Sequence, residues 1–275
     1  MRVLVVNRGD NASTNIRDRL LETGDWADTG STFRGHAMHQ RGYDMLVEVD
    51  GPTIHDEALS ADIASRDWPV HAVWFLSRHR AASGQPSLTV HPIGNHAKAD
   101  FGGQAATLSP AAPRDMGALL RRLRHHRDRA GLQHQVTFEA THHGPRMQQP
   151  SLFVEIGSDE AWYDDRRSAE VLAAAVTDVL DGEGSIGGPL LLGVGGGHYV
   201  PQQTDRALAG EADFGHFVPA YAVVADDPAG AAAVLQRAWD ATPGADGVYM
   251  HKKGLKGPQR QVVTAWAAGV DVPLH

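Results

Sequence analysis

Cysteine is missing from this 275-residue chain. That excludes disulfides and thiolate nucleophiles, and leaves His, Asp and Glu as the strong metal donors. Lysine is nearly missing as well, since Lys98, Lys252, Lys253 and Lys256 are the whole complement. No apolar run approaches the roughly 20 residues that a membrane span needs, so no membrane association is expected. The amino terminus opens on the strand-like Arg2-Val3-Leu4-Val5-Val6 and not on a signal peptide, which makes the cytoplasm the expected compartment. Three common signatures are also absent: a Gly-x-Ser-x-Gly elbow, a phosphate loop ending in Gly-Lys-Ser/Thr, and a His-Glu-x-x-His helix.

What remains is a globular composition, 42% apolar, with a formal charge of −8. An acidic balance argues against a polyanionic partner, but it does not say where the charges sit. Two stretches are locally basic: Arg121 to Arg129, which includes Arg121 and Arg124, and Lys252 to Lys256. They read either as phosphate contacts or as a solvated helix face and an exposed loop.

Strand-like segments alternate with helical ones. Strands are expected at Arg2 to Val6, Tyr43 to Val49, Val70 to Leu76, Ser87 to His91, 135–140, 151–156, 189–194, Val218 to Val224 and Gly247 to His251. Helices are expected after Val6 as far as Gly24, and at Asp115 to Ala130, Asp165 to Leu180, Pro228 to Ala241 and Pro258 to Ala268. The alternation predicts one α/β domain over residues 1–275, a three-layer α/β/α arrangement around a mixed, mostly parallel sheet. The loop-rich stretch 77–113 reads as a binding loop or as the junction of a smaller inserted subdomain.

Chemistry concentrates where strands stop. The apolar run ending at Ala140 meets Thr141-His142-His143-Gly144-Pro145, and Leu190 to Val194 meets Gly195-Gly196-Gly197-His198-Tyr199. Glu155 lies in the apolar run Leu152 to Ile156, where an inward carboxylate needs a cation or metal, though alternation also permits it to face solvent. We therefore expect His142, His143, Glu155 and His198 to line one crevice at the carboxyl edge of the sheet. Adjacent histidines diverge on a regular strand, so both serve one site only if the backbone bends after it. The competing reading has them hydrogen-bonding loop carbonyls. The glycines could offer N–H groups to an oxyanion, or form a plain turn. His79, His91, His96 and His216 are further metal candidates, and Lys253 a candidate for stabilising negative charge.

Taken together, Ser77-Arg78-His79, His91 with Gly94-Asn95, Ala140 to Pro145, Phe153 to Ser158, Gly195 to Tyr199, Gly215-His216 and Lys253-Gly254 resemble the archaeal and plant D-aminoacyl-tRNA deacylase family. The resemblance implies a phosphorylase/hydrolase-like α/β/α fold and zinc-dependent hydrolysis, with two zinc ions, of the ester joining a D-amino acid to the tRNA 3′ end. It leans towards a monomer. It assigns catalysis to His142, His143, Glu155, His198 and Lys253, and the metal to a subset of His79, His91, His96, His142, His143, Glu155, His198 and His216. Gly195, Gly196, Gly197, Tyr199, Arg121 and Arg124 would contact substrate. Two other readings are a metal-dependent peptidase or amidohydrolase, and a non-catalytic nucleoside or RNA-end binding module.

Overall fold

A computed structural model describes residues 1–275. The strands are β1 (Arg2–Asn7), β2 (Ala27–Phe33), β3 (His36–Arg41), β4 (Asp44–Val49), β5 (Ala72–Arg80), β6 (Ser87–Pro92), β7 (Gly94–Asn95), β8 (Thr107–Leu108), β9 (Gln135–Phe138), β10 (Ser151–Ser158), β11 (Leu190–Val194), β12 (Asp213–Val218) and β13 (Gly247–Met250). The helices are α1 (Asn11–Thr23), α2 (Leu59–Ala64), α3 (Pro113–Ala130), α4 (Glu160–Tyr163), α5 (Arg166–Leu180), α6 (Pro201–Leu208), α7 (Pro228–Asp240) and α8 (Gly257–Gly269).

Eight strands form the main sheet in the order β2-β3-β4-β1-β5-β10-β6-β9. The strands β4, β1, β5 and β10 are parallel, as expected for runs such as Val3 to Val6 that are buried on both faces. Strand β6 pairs antiparallel with β10, and β9 runs parallel to β6. Half the sheet's site-bearing strands therefore point the opposite way from the other half. A second, three-stranded sheet, β12-β11-β13, is parallel throughout and belongs to the last third of the chain.

The period-2 alternation of side chains sorts the main sheet into two faces. Leu4, Trp74, Leu76, Val154 and Phe138 lie on one face, in a large apolar core shared with α1, α3 and α5. Phe214 and Phe217 of the small sheet join the same core. The other face carries Val5, Val47, Phe75 and Phe153 with Leu59 and Ile63 of α2 in a smaller cluster. Further along β5, β10 and β6 that second face turns polar, and the site begins there.

Helix ends follow local chemistry. Asp10 caps α1 by accepting from the N–H groups of Ala12 and Ser13, and Gly131 closes α3 in the left-handed region at φ 65°. One expected strand is displaced. Val218 to Val224 is not extended: the strand is Asp213–Val218, and Pro219, with no N–H to donate, starts a short 3-10 turn over Ala220–Ala222. The β2–β3 hairpin shows no apolar alternation and was not expected. The segment 77–113 holds the end of β5, all of β6 and the β7–β8 pair, so it runs through the middle of the molecule.

Candidate active site

Strand register brings the polar groups to one face. Glu155 is opposite Ser77 on β5 and Thr89 on β6, Phe153 is opposite His91, and Thr89 is opposite Thr137 on β9. Residues two apart share a face, so His79, His91, Glu155 and Glu139 all project from the same side. The site forms where oppositely running strands converge, with Glu155 well inside β10. The expectation of a single carboxyl edge is corrected accordingly.

His142 and His143 reach the same centre because His143 adopts a left-handed backbone, φ 44°, which is the bend that adjacent histidines require. Gly144 follows, where an added Cβ would lie 2.2 Å from Gly103 N and 2.4 Å from Ile54 O; only glycine fits there. The rings of His142 and His143 are 4.4 Å apart, and His91 lies 4.1 Å from His142 and 4.9 Å from His143. Phe153 stacks parallel beneath His91 at 5.2 Å and fixes its plane.

All three imidazoles use Nδ1 in the same way. His91 Nδ1 is 3.1 Å from Pro92 O, His142 Nδ1 2.8 Å from Ala140 O, and His143 Nδ1 2.7 Å from Gly144 O. A carbonyl only accepts, so each Nδ1 carries the proton and each Nε2 keeps a free lone pair. Both readings of the histidine pair thus hold together: the rings bond loop carbonyls, and that bond frees the other nitrogen for a ligand. His91 Nε2 is buried with no hydrogen-bond partner.

A second group consists of His79, Glu139 and His198. Glu139 was not among the expected site residues. It is fully buried, with Oε1 3.1 Å from His79 Nδ1 and Oε2 2.8 Å from His198 Nε2 and 3.6 Å from His142 Nε2. Neither oxygen has an aligned hydrogen-bond donor. The signal was present in sequence: a carboxylate closing the apolar run Val136 to Ala140, the same argument that singled out Glu155. His198 arrives from the loop after β11, held by the Ala140 N–H, which donates to His198 O at 2.7 Å.

Glu155 Oε2 stands between the groups, 3.7 Å from His79 Nδ1 and 3.6 Å from His91 Nε2. Burial alone would raise the Glu139 pKa, but His198, His91, His142 and His79 around it hold its carboxyl well below the usual range. Burial, reinforced by the neighbouring imidazoles, pushes His142 and His143 well below the ordinary histidine value. Burial disfavours charge on His91 too, yet the contact with Glu155 leaves its pKa raised.

These groups open into a cavity of about 330 Å³ whose wall includes His79, His142, His143, Glu155 and His198. Arg78, from the Ser77-Arg78-His79 element, also lines it, as do Asp10, Arg80 and Phe101, which were not foreseen.

Several expected residues lie elsewhere. His216 is buried with both nitrogens engaged, Nδ1 at 3.0 Å from Thr141 Oγ1 and Nε2 at 2.8 Å from Ser109 O. His96 Nε2 is 3.0 Å from Phe217 O. Neither joins the two ligand groups. Tyr199 is not in the wall of this cavity; its Oη is 2.8 Å from His79 Nε2.

The glycines do not form an oxyanion hole from Gly195 and Gly196, whose N–H groups donate to Val218 O at 2.8 Å and Gly254 O at 3.4 Å. Gly195 instead lets two loops meet, since a Cβ there would lie 3.0 Å from His251 O, and Gly196 also takes a positive φ, whereas an added Cβ on Gly197 would meet open space. Arg121 is bound by the buried Asp213 at 2.9 Å and by the carbonyls of Gly184 and Ala207. Arg124 pairs along its helix with Asp128 at 3.1 Å. Lys253 is exposed and lines a different cavity, with Tyr221 and Lys256.

Residues 67–275 match the family described as D-aminoacyl-tRNA deacylase. The chain is 33% identical over 272 residues to a D-aminoacyl-tRNA deacylase of Pyrococcus horikoshii, covering 97% of this chain and 96% of the relative. Against the protein of the same name from Thermococcus onnurineus it is 34% identical over 270 residues, again 97% and 96%. A crystal structure of a conserved protein of unknown function superimposes with a TM-score of 0.88 at 29% identity, covering 100% of this chain and 94% of that one. The chain belongs to the D-aminoacyl-tRNA deacylase family.

Proposed function

We infer that this chain hydrolyses the ester of D-aminoacyl-tRNA, releasing free D-amino acid and tRNA as a step of translation quality control, and that it does so with two zinc ions. Its family membership carries the substrate. The metal reading rests on one observation: two groups of convergent donors, His91/His142/His143 and His79/Glu139/His198, on one face with Glu155 between them.

The donor set fits the metal. Imidazole and carboxylate without thiolate suit zinc. The free Nε2 of His91 and both oxygens of Glu139 are buried acceptors with no aligned donor, an arrangement that a cation satisfies. The carbonyl-bonded Nδ1 atoms supply the outer support that orients metal-binding histidines. Zinc so held would polarise the ester carbonyl and acidify water near it.

The chain's own residues do the rest. Glu155 lines the cavity and takes the proton as water attacks the ester carbon, since the histidine pair is committed to the first donor group. The carbon–oxygen bond to the tRNA ribose then breaks, and the ribose oxygen leaves with the proton that Glu155 returns. Arg78 and Arg80 at the rim offer positive charge to substrate phosphate. Each donor group is complete within one chain, so the site needs no second copy; we place the protein in the cytoplasm, as a monomer. A peptidase or a non-catalytic RNA-end module is not favoured by this family membership.

The test charges one tRNA with D- or L-tyrosine and follows release with and without chelator. D-tyrosine should be released, L-tyrosine spared, and activity lost on chelation and restored by zinc. Equal rates on both isomers would overturn the role, and indifference to chelation the metal.

A further inference from the structure

His142 borders two cavities. On its far side from the catalytic cavity lies a space of about 370 Å³ lined by Asn95, His96, Lys98, Asp100, Thr141 and Tyr221, among others. Tyr221 continues into two more hollows, one with Lys253 and Lys256 and one with Lys256 and Asp226. A track thus leads from the site past one aromatic ring to a cluster of lysines.

Three features set this track apart from ordinary surface. Tyr221 is 65% exposed, yet the turn that carries it is pinned: Gln259 Nε2 donates to Ala220 O at 2.7 Å and to Val223 O at 3.0 Å, and Ala220 N donates to Gly196 O at 2.9 Å. An exposed aromatic carried on a pinned turn needs little backbone ordering to become a contact surface. The lysines also gather here. Of four in the chain, Lys98, Lys253 and Lys256 line the track and Lys252 adjoins Lys253. Finally, the ion pairs of this protein are made by arginine and histidine, and no lysine takes part in one, although Asp100 and Asp226 border the same hollows. Free ammonium groups beside an exposed ring on a fixed turn, in a chain of net charge −8, match a single-stranded nucleic acid, whose bases stack and whose phosphates need unpaired cations.

We propose that Tyr221 stacks an unpaired base of the tRNA 3′ end and that Lys98, Lys253 and Lys256 hold its phosphates, guiding the charged end to the His142 side of the site. The proposal rests on the deacylase reading for its choice of RNA. It is tested with uncharged tRNA, so that binding is measured apart from hydrolysis.

Filter binding should show the Kd of Tyr221→Ala raised about tenfold and that of Tyr221→Phe close to wild type, because the ring is what stacks. The double change Lys253→Ala, Lys256→Ala should weaken binding and lower the salt slope by about two phosphates. Both sites are at the surface, and circular dichroism melting checks that the fold is kept. Unchanged Kd in Tyr221→Ala, or an unchanged salt slope in the lysine variant, overturns the proposal, as does a wild type that binds no tRNA. A wild type that binds through Tyr221 but releases no D-tyrosine instead overturns the deacylase reading and leaves this surface standing.

Discussion

His142 and His216 are both held inside the protein, are linked through Thr141, and end in opposite uses. His216 places one nitrogen on Thr141 Oγ1 and the other on Ser109 O, so nothing is left over. His142 gives Nδ1 to Ala140 O and keeps Nε2 for the cavity. On the proposed reading His142 is a ligand because its second nitrogen faces the converging groups of the site; a stranded nitrogen is not enough by itself, since His96 Nδ1 and His134 Nδ1 are also buried without partners and join neither group. His216 serves by position: Thr141 Oγ1, fixed by its ring, accepts from the Phe217 N–H at 2.9 Å and so sets where His142 begins.

The sharpest break of this comparison comes at the stranded atoms. Glu139→Gln or His142→Ala should lower D-aminoacyl-tRNA turnover by at least about a hundredfold, more than the loss of an outer-shell partner costs, and should reduce bound zinc measured by mass spectrometry. Melting temperature of the metal-free protein should move only a few degrees, because neither Glu139 oxygen has an aligned donor within the fold and loss of the His142 ring gives up only its bond to Ala140 O. A variant that keeps full turnover and two zinc ions would place the metal elsewhere.

The converse holds at His216. His216→Ala leaves Ser109 O and the Thr141 hydroxyl proton without a partner in a buried space, although Thr141 Oγ1 still accepts from the Phe217 N–H, a loss of about 2–4 kcal/mol, while zinc content stays at the wild-type value. Urea unfolding with metal analysis reads both. Unaltered stability would mean that water fills the gap.

A smaller effect follows from pH. Burial lowers the His96 pKa to about 4, and that of His216 to about 3, from an ordinary 6.5. The unfolded chain therefore binds more protons than the fold between those values and 6.5, so stability rises with pH across the window and falls as acid is added. Each group contributes about 1.4 kcal/mol per pH unit. His216→Asn, which cannot charge, should flatten the dependence of the urea midpoint between pH 6 and 5. An unchanged slope would show that His216 is already protonated in the fold.

The sheet was legible in the sequence where burial on both faces produces unbroken apolar runs, as in β1, β5 and β10. It was not legible in the β2–β3 hairpin, whose side chains are mostly exposed and carry no period, nor at Val218 to Val224, where Pro219 ends the strand that precedes it. Of the groups that converge in the candidate site, His142, His143 and His198 were legible because glycine and adjacent imidazoles mark strand ends, and Glu155 because it interrupts an apolar run. Glu139 was overlooked although it obeys the rule that singled out Glu155. The reversal of β6 and β9, which turns four strand faces into one site, has no local sequence signature, because strand direction is set by long-range pairing.

Charge repeats the lesson in a second pair of regions, and here the smallest effect is expected. Helix α3 and the turn at Lys252 to Lys256 look equally basic in sequence, but α3 lies within reach of carboxylates and most of its cations are taken, the exposed Arg129 being the exception among its arginines. Arg121 meets Asp213, Arg122 and His126 meet Asp178, and Arg124 meets Asp128. Arg124 is about half exposed and its pair joins two flexible side chains in water, an interaction of well under about 1 kcal/mol. Arg124→Glu should therefore change tRNA affinity less than twofold and leave the salt slope as it was, in contrast with the lysine variants. Salt titration of tRNA binding distinguishes the two regions, and a slope reduced by Arg124→Glu as much as by loss of a lysine would return α3 to the RNA-binding surface.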